Sequence, residues 1–168
     1  MCWVDFIDML LIRGRSKKRE KAMTLIELLL VVAILGTLGA IAVPVYTDYI
    51  GKARNSAAAA DIRGIEGGIA RFQAERGRPP DTLAEAAIQN NLDPWGNPYQ
   101  YLRLQGIEKK DLHGSWRRDR FINPINTDFD IYSMGKNGDS QPALTAKESH
   151  DDIVRANNGA FVGLASEY

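Results

Sequence analysis

The chain has 168 residues, with 21 Lys and Arg balanced by 21 Asp and Glu, 45% hydrophobic residues and one cysteine. That length suits one domain of ordinary size, and the composition excludes disorder and a collagen-like repeat. A single thiol excludes a disulfide framework or a multi-cysteine zinc site, and zero net charge argues against wholesale nucleic-acid binding.

The charge is unevenly spread. Residues 1–22 carry six basic and three acidic side chains, and the remainder carries 15 basic and 18 acidic ones. Directly after the basic segment, residues 28–47 form a run of 20 without a charged side chain. About 20 apolar residues cross the hydrocarbon core as a helix, so the run is long enough to span. Basic residues ahead of it predict a cytoplasmic N-terminus and an exported remainder. An ordinary secretory signal has an apolar core of only about 7–15 residues and would avoid a carboxylate such as Glu27 at its start. A plain signal-anchor helix stays open as the alternative.

Past Pro44 the pattern turns amphipathic. Ile62, Ile65, Ile69 and Phe72 fall on one helical stripe, and Gly77 with Pro79 and Pro80 is a strong stop. Pro44 inside this pattern predicts a kink and not a break. The helix should then run about 50 residues, roughly 75 Å, more than a domain of this size can bury. Asp81 or Thr82 is placed to cap a short helix over residues 83–89, ended by Asn90 and Asn91. The segment DPWGNP, residues 93–98, is dense in turn formers. Residues 99–104 and 128–134 alternate as strands, with Phe129, Ile131 and Ser133 on one face. A charged loop, 105–127, lies between them, and the tail from Gly135 reads as mostly loop with a short strand over 160–164. The expected fold class is α+β, a long kinked N-terminal helix packed on a small antiparallel sheet.

Glu27 is the most informative residue. A carboxylate inside a spanning helix costs about 2.5–3.5 kcal/mol on insertion scales, less near an interface. One reading places it shallow enough to reach the headgroups. Another supplies a positive partner by cleavage between Ala22 and Met23, which exposes an α-amino group at Met23. Met23 and Glu27 are four apart on one helix, and the amine of one subunit can also meet Glu27 of the next.

The order KREKA, MTLIE and an apolar run ending at Pro44 resembles the class III signal of type IV prepilins and type II secretion pseudopilins. The resemblance implies cleavage after Ala22 by a prepilin peptidase and N-methylation of Met23. The family's early glutamate and its helix proline fall on Glu27 and Pro44. One departure is Ala22, where the family usually has glycine. DPWGNPYQY (residues 93–101), DIYSMGKNGD (residues 130–139) and DDI (residues 151–153) look like the major, G-type pseudopilin of type II secretion. The implied boundaries are a leader over 1–22, a transmembrane and assembly half over 23–47, and a periplasmic pilin-like domain over 48–168.

Asn137, Asp139, Asp151 and Asp152 are hard oxygen donors in a loop with glycines, a donor class that suits calcium, although the spacing is not that of an EF-hand. A solvated acidic loop is the alternative reading of the same residues. The resemblance implies calcium, with the main-chain carbonyl of Met134 as a further ligand, although the family usually has aspartate where Asn137 stands. The only cysteine, Cys2, lies in the leader, so a disulfide cannot staple the mature chain. Trp116, Arg117, Arg118 and Arg120 form a basic, aromatic cluster read as a solvated loop in preference to a nucleic-acid contact. No nucleophile signature stands beside His113 or His150, and no phosphate loop is present, so no enzyme is expected.

The resemblance therefore implies a structural subunit of a type IV pilus-like filament, specifically the periplasmic pseudopilus of a type II secretion system. The alternatives are a type IV pilus subunit for adhesion, motility or DNA uptake, and a signal-anchored periplasmic domain that never polymerises. The implied partners are copies of itself, other pseudopilins or pilins, the prepilin peptidase and an inner-membrane assembly platform. Before assembly the chain would cross the inner membrane once, and no nucleic acid is expected to bind it.

Overall fold

From Leu25 onward the chain is rich in leucine, isoleucine and alanine, with no strong stop before Gly77, so nothing local ends a helix once it has begun. In the computed structural model, which describes residues 23–89, 92–108, 110–112 and 114–168, one helix, α1, runs over Leu25–Arg76 and through Pro44. Gly77 ends it with φ +75° and donates its N–H to the Gln73 carbonyl at 2.8 Å. This left-handed residue satisfies a last-turn carbonyl that the helix itself leaves open.

The chain divides into two compact units, residues 1–44 and 45–168. In the first, every described residue is exposed except the half-buried Gly39. Leu25 is 84% and Ile41 68% exposed, so the apolar character is spread over the surface and builds no core of its own. This stretch is long and apolar enough to cross a membrane.

In the second unit α1 buries Ile62, Ile65, Ile69 and Phe72, the stripe that the spacing predicts, and also Ala58. It packs on four strands: β1 (Gln100–Arg103), β2 (Phe129–Ser133), β3 (Ile153–Ala156) and β4 (Phe161–Leu164). Their order is β1-β2-β3-β4, antiparallel throughout, with Tyr101 opposite Ile131 and Tyr132 opposite Val154. Alternation along the strands sends Phe129, Ile131 and Ile153 to the helix, where Tyr99 joins them. Val154 and Ala156 point to the other face and meet Ile125, Leu144 and Ala165. Burying each large aliphatic side chain stabilises the fold by about 1.5–3 kcal/mol.

Both faces of the sheet are therefore covered, which explains two departures from expectation. Strand β2 is buried nearly end to end, because the loops before and after it close over its second face. The sequence places Ile153–Ala156 in a tail that is mostly loop, whereas the structure makes it a strand, β3, that carries the charged Arg155. That arginine is itself buried. Its Nε donates to Glu66 at 2.8 Å, its terminal nitrogens donate to both Asp128 oxygens at 2.9 and 2.7 Å, and its guanidinium stacks 4.1 Å from the Phe129 ring centre. A charge held this fully is compatible with a central strand.

The short helix is a single 3-10 turn, Leu83–Ala86, capped by Thr82 and stopped by Ala87 at φ +57°. Asp81 serves elsewhere, pairing with Arg78 and Arg103. Asn90 and Asn91 lie outside the described residues.

Candidate functional site

Two groups of residues were singled out by sequence, one at the start of α1 and one in the loop between β2 and β3. Ala22 lies outside the described residues, and Met23 is exposed ahead of the helix. Helix α1 opens with a reciprocal cap. The Glu27 carboxylate accepts the Thr24 main-chain N–H and the Thr24 hydroxyl, both at 2.8 Å, while the Thr24 hydroxyl oxygen accepts the Glu27 N–H at 3.3 Å. This is the capping box of a Thr-x-x-Glu sequence. It satisfies donors that the first helical turn cannot, and it occupies Glu27 within its own chain. Thr24 was missed by sequence reasoning, although the Thr-x-x-Glu pattern was there to be read.

Beyond the cap, the exposed side chains from Leu25 to Val43 form one continuous apolar surface. Monomeric soluble proteins rarely show contiguous apolar patches above a few hundred Å². The surface calls for lipid or for other helices, and Pro44 lies within α1, nearer its start than its end.

In the second unit, the loop after β2 is folded tightly against the start of β3. Gly135 has φ +63°, and any side chain on it would collide with the Asp151 main-chain carbonyl, so only glycine permits this approach. Two residues later Asn137 closes on Asp151. Its main-chain N–H donates to Asp151 Oδ2 at 2.9 Å, and its amide nitrogen donates to Asp151 Oδ1 at 2.6 Å and to the Glu148 carbonyl at 2.8 Å. Asn137 Oδ1 accepts the Asp139 N–H at 2.7 Å. The two partners on the nitrogen side are acceptors and the one on the oxygen side is a donor, so only this amide orientation satisfies all three.

Asp152 points the other way. It is fully buried, and its Oδ2 accepts from the Arg117 guanidinium and from Ser140 Oγ at 2.6 Å. Burial raises its pKa, against the lowering effect of Ser140 and Arg117. Arg117, 2% exposed, also donates to Ser140 Oγ at 2.7 Å and to the Gln141 carbonyl, and lies 3.9 Å over the Tyr132 ring centre. Its main-chain N–H donates to Asp130 Oδ2 at 2.7 Å, and Asn126 donates to Asp130 Oδ1 at 2.8 Å. Even so, burial pushes the Asp130 pKa up to about 6.

Arg117 thus departs from the solvated-loop reading of the Trp116–Arg120 segment. Nothing local could have flagged it, because an arginine among other arginines and aspartates looks solvated until the loop is folded onto the sheet. Asn126 and Asp130, which complete the buried network, were missed for the same reason.

The donors expected to hold calcium are therefore divided. Asn137 and Asp151 are together but bonded to one another, Asp139 and Asn137 are exposed, Met134 is half-buried after β2, and Asp152 lies against a buried guanidinium. Calcium takes six to eight oxygens, and a cation at Asp152 would sit beside the Arg117 charge. Among the described residues no three His, Cys, Asp or Glu side chains are grouped to hold a metal ion. As arranged, the residues do not fit the ion.

Comparison with known proteins supplies the remaining evidence. Residues 17–43 match the family model described as the prokaryotic N-terminal methylation motif. The chain is 30% identical to type II secretion system core protein G of Pseudomonas aeruginosa, over 73% of this chain and 88% of that protein. It is 36% identical to the type IV major fimbrial protein FimA of Dichelobacter nodosus, over 87% of this chain and 86% of that one. Against fimbrial protein EcpC of Eikenella corrodens it is 39% identical over 43% of this chain, and it spans about half of EcpC's length. No solved structure matches it.

Proposed function

Because this chain belongs to the superfamily of type IV pilins and type II secretion pseudopilins, we propose that it is a structural subunit of a pilus-like filament, the periplasmic pseudopilus of a type II secretion system. The observation that carries this reading is the likeness to core protein G over 88% of that protein's length, joined to a methylation motif that runs into an exposed apolar helix.

In this reading a prepilin peptidase cuts after Ala22 and methylates Met23. Residues 1–22 face the cytoplasm before the cut, and the processed subunit waits in the inner membrane with the second unit in the periplasm. It then leaves the bilayer by exchanging lipid for the apolar helices of its neighbours. Leucine, isoleucine and valine side chains are as well buried among helices as among acyl chains, so the transfer turns on packing and on the polar group it carries. Glu27 is that group, and the amine freed at Met23 of an adjacent subunit is its partner. Other pseudopilins and an inner-membrane platform take part in assembly, and the role is structural throughout.

A second reading, a subunit of an external type IV pilus, is favoured by the match to FimA over 86% of its length. Deleting the gene separates the two. Exported proteins trapped in the periplasm, with surface filaments unchanged, are expected for the pseudopilus. Normal export with surface filaments lost would instead establish the pilus subunit. The complementing chain should carry N-methylated Met23 by mass spectrometry, and an intact leader would overturn the processing step.

A further inference from the structure

The loop between β2 and β3 has the donor chemistry of a cation site, yet Asp151 and Asp152 already have donating partners from within the chain. We propose that the Arg117 guanidinium and the Asn137 amide fasten this loop in place of a divalent cation, so that the second unit closes without metal.

Three observations carry this. Arg117 brings a full positive charge into the interior and ties two separated pieces of chain to its own: Asp152 just before β3, and Ser140 with Gln141 in the loop. A bound cation does the same work, gathering oxygens that are distant in sequence, and here the carboxylate, hydroxyl and carbonyl oxygens gather on one guanidinium. Second, the Asn137 amide nitrogen occupies the space between Asp151 Oδ1 and the Glu148 carbonyl, two acceptors that would otherwise face each other. A neutral donor there relieves their repulsion without an ion, whereas an aspartate at the same place would add to it.

Third, the described residues leave two buried side-chain atoms without partners, Arg117 Nε and Asp152 Oδ1. They belong to one ion pair. They are the two atoms that a second, parallel bond of an arginine–carboxylate fork would use. A direct bond between these two atoms would complete the fork from within the chain, without an ion. The stacking of the guanidinium on Tyr132 and its burial hold it in register for this task.

The inference stands apart from the filament reading and is tested on the full chain in detergent, by thermal unfolding in calcium chloride and in chelator. The wild-type melting temperature should be the same in both buffers. Asn137→Asp should melt roughly 3–6 °C lower than wild type in chelator and recover when calcium is added, since two carboxylates then face one another. A wild-type melting temperature that rises with calcium overturns the proposal. So does an Asn137→Asp variant as stable as wild type in chelator. Arg117→Lys keeps the charge but not the planar fork, and should melt below wild type equally in both buffers. A loss for Arg117→Lys that calcium restores would show an ion taking over the arginine's place, and would also overturn it.

Discussion

On the helix-facing side of the sheet Arg155 lies over Phe129 and divides its donors between Glu66 and Asp128; on the opposite side Arg117 lies over Tyr132 and turns to Asp152 and Ser140. The chemistry is nearly the same, a buried guanidinium stacked on an aromatic ring and held by carboxylates. What differs is the material being joined. Arg155 ties a regular helix to regular strands, and its nitrogens find oxygens on α1 and beside β2. Arg117 ties irregular loops, and one of its nitrogens is left without a partner. An arginine can stand in for a second layer of secondary structure where the chain supplies none. The loop-covered face is then held by directed polar contacts more than by periodic apolar packing.

This contrast can be broken by experiment. The largest effect is expected for Arg155→Ala, which leaves Glu66 and Asp128 facing each other without a cation. Removing one partner of a buried pair costs about 3–5 kcal/mol, readable from the denaturant midpoint of the full chain in detergent. A loss below about 1 kcal/mol would mean that the helix face is held by its apolar stripe alone.

A cavity on each face sharpens the comparison. Ile62→Ala, in the stripe of α1, should cost about 4 kcal/mol, because neighbours fixed in helix and strand cannot collapse into the space. Leu144→Ala, under the loops, should cost about 2 kcal/mol, because its surroundings can relax. Equal losses would erase the distinction between the two faces.

A further test concerns pH. Asp130 titrates near 6 in the folded chain, above the ordinary carboxylate value, because it is buried. The folded state therefore holds this proton more tightly than the unfolded one. The group's contribution to stability is fully present below about pH 4, declines as pH rises to about 6, and is flat beyond. Asp130→Asn should remove that slope from the pH dependence of the unfolding midpoint. An unchanged slope would assign it to another group.

How much of this was legible follows the same division. The stripe Ile62, Ile65, Ile69 and Phe72, the stop at Gly77 and the alternation of Phe129 and Ile131 were readable because each is a local pattern with a fixed period. The exposed apolar run was readable because a charge-free stretch of that length has few physical solutions. Strand β3 was missed because its signal is broken by Arg155, whose partners Glu66 and Asp128 lie far away in sequence. Arg117 was misread for a related reason, and its pairing with Asp152 was not foreseen. Their environment is made by loop closure, and no spacing rule connects residues 117, 140 and 152.

The reciprocal cap at the head of α1 changes how Glu27 should be understood. A carboxylate that already holds a backbone N–H and a hydroxyl has surrendered part of its hydration before it meets any lipid, so moving it out of water forfeits less than moving a bare one. The same bonds fix where the helix begins and aim the carboxylate along its first turn. An alanine at this place therefore removes a charge and unravels a helix start together. Glutamine can still close the box and removes the charge alone. Only the second exchange isolates what the negative charge contributes to joining one subunit to the next.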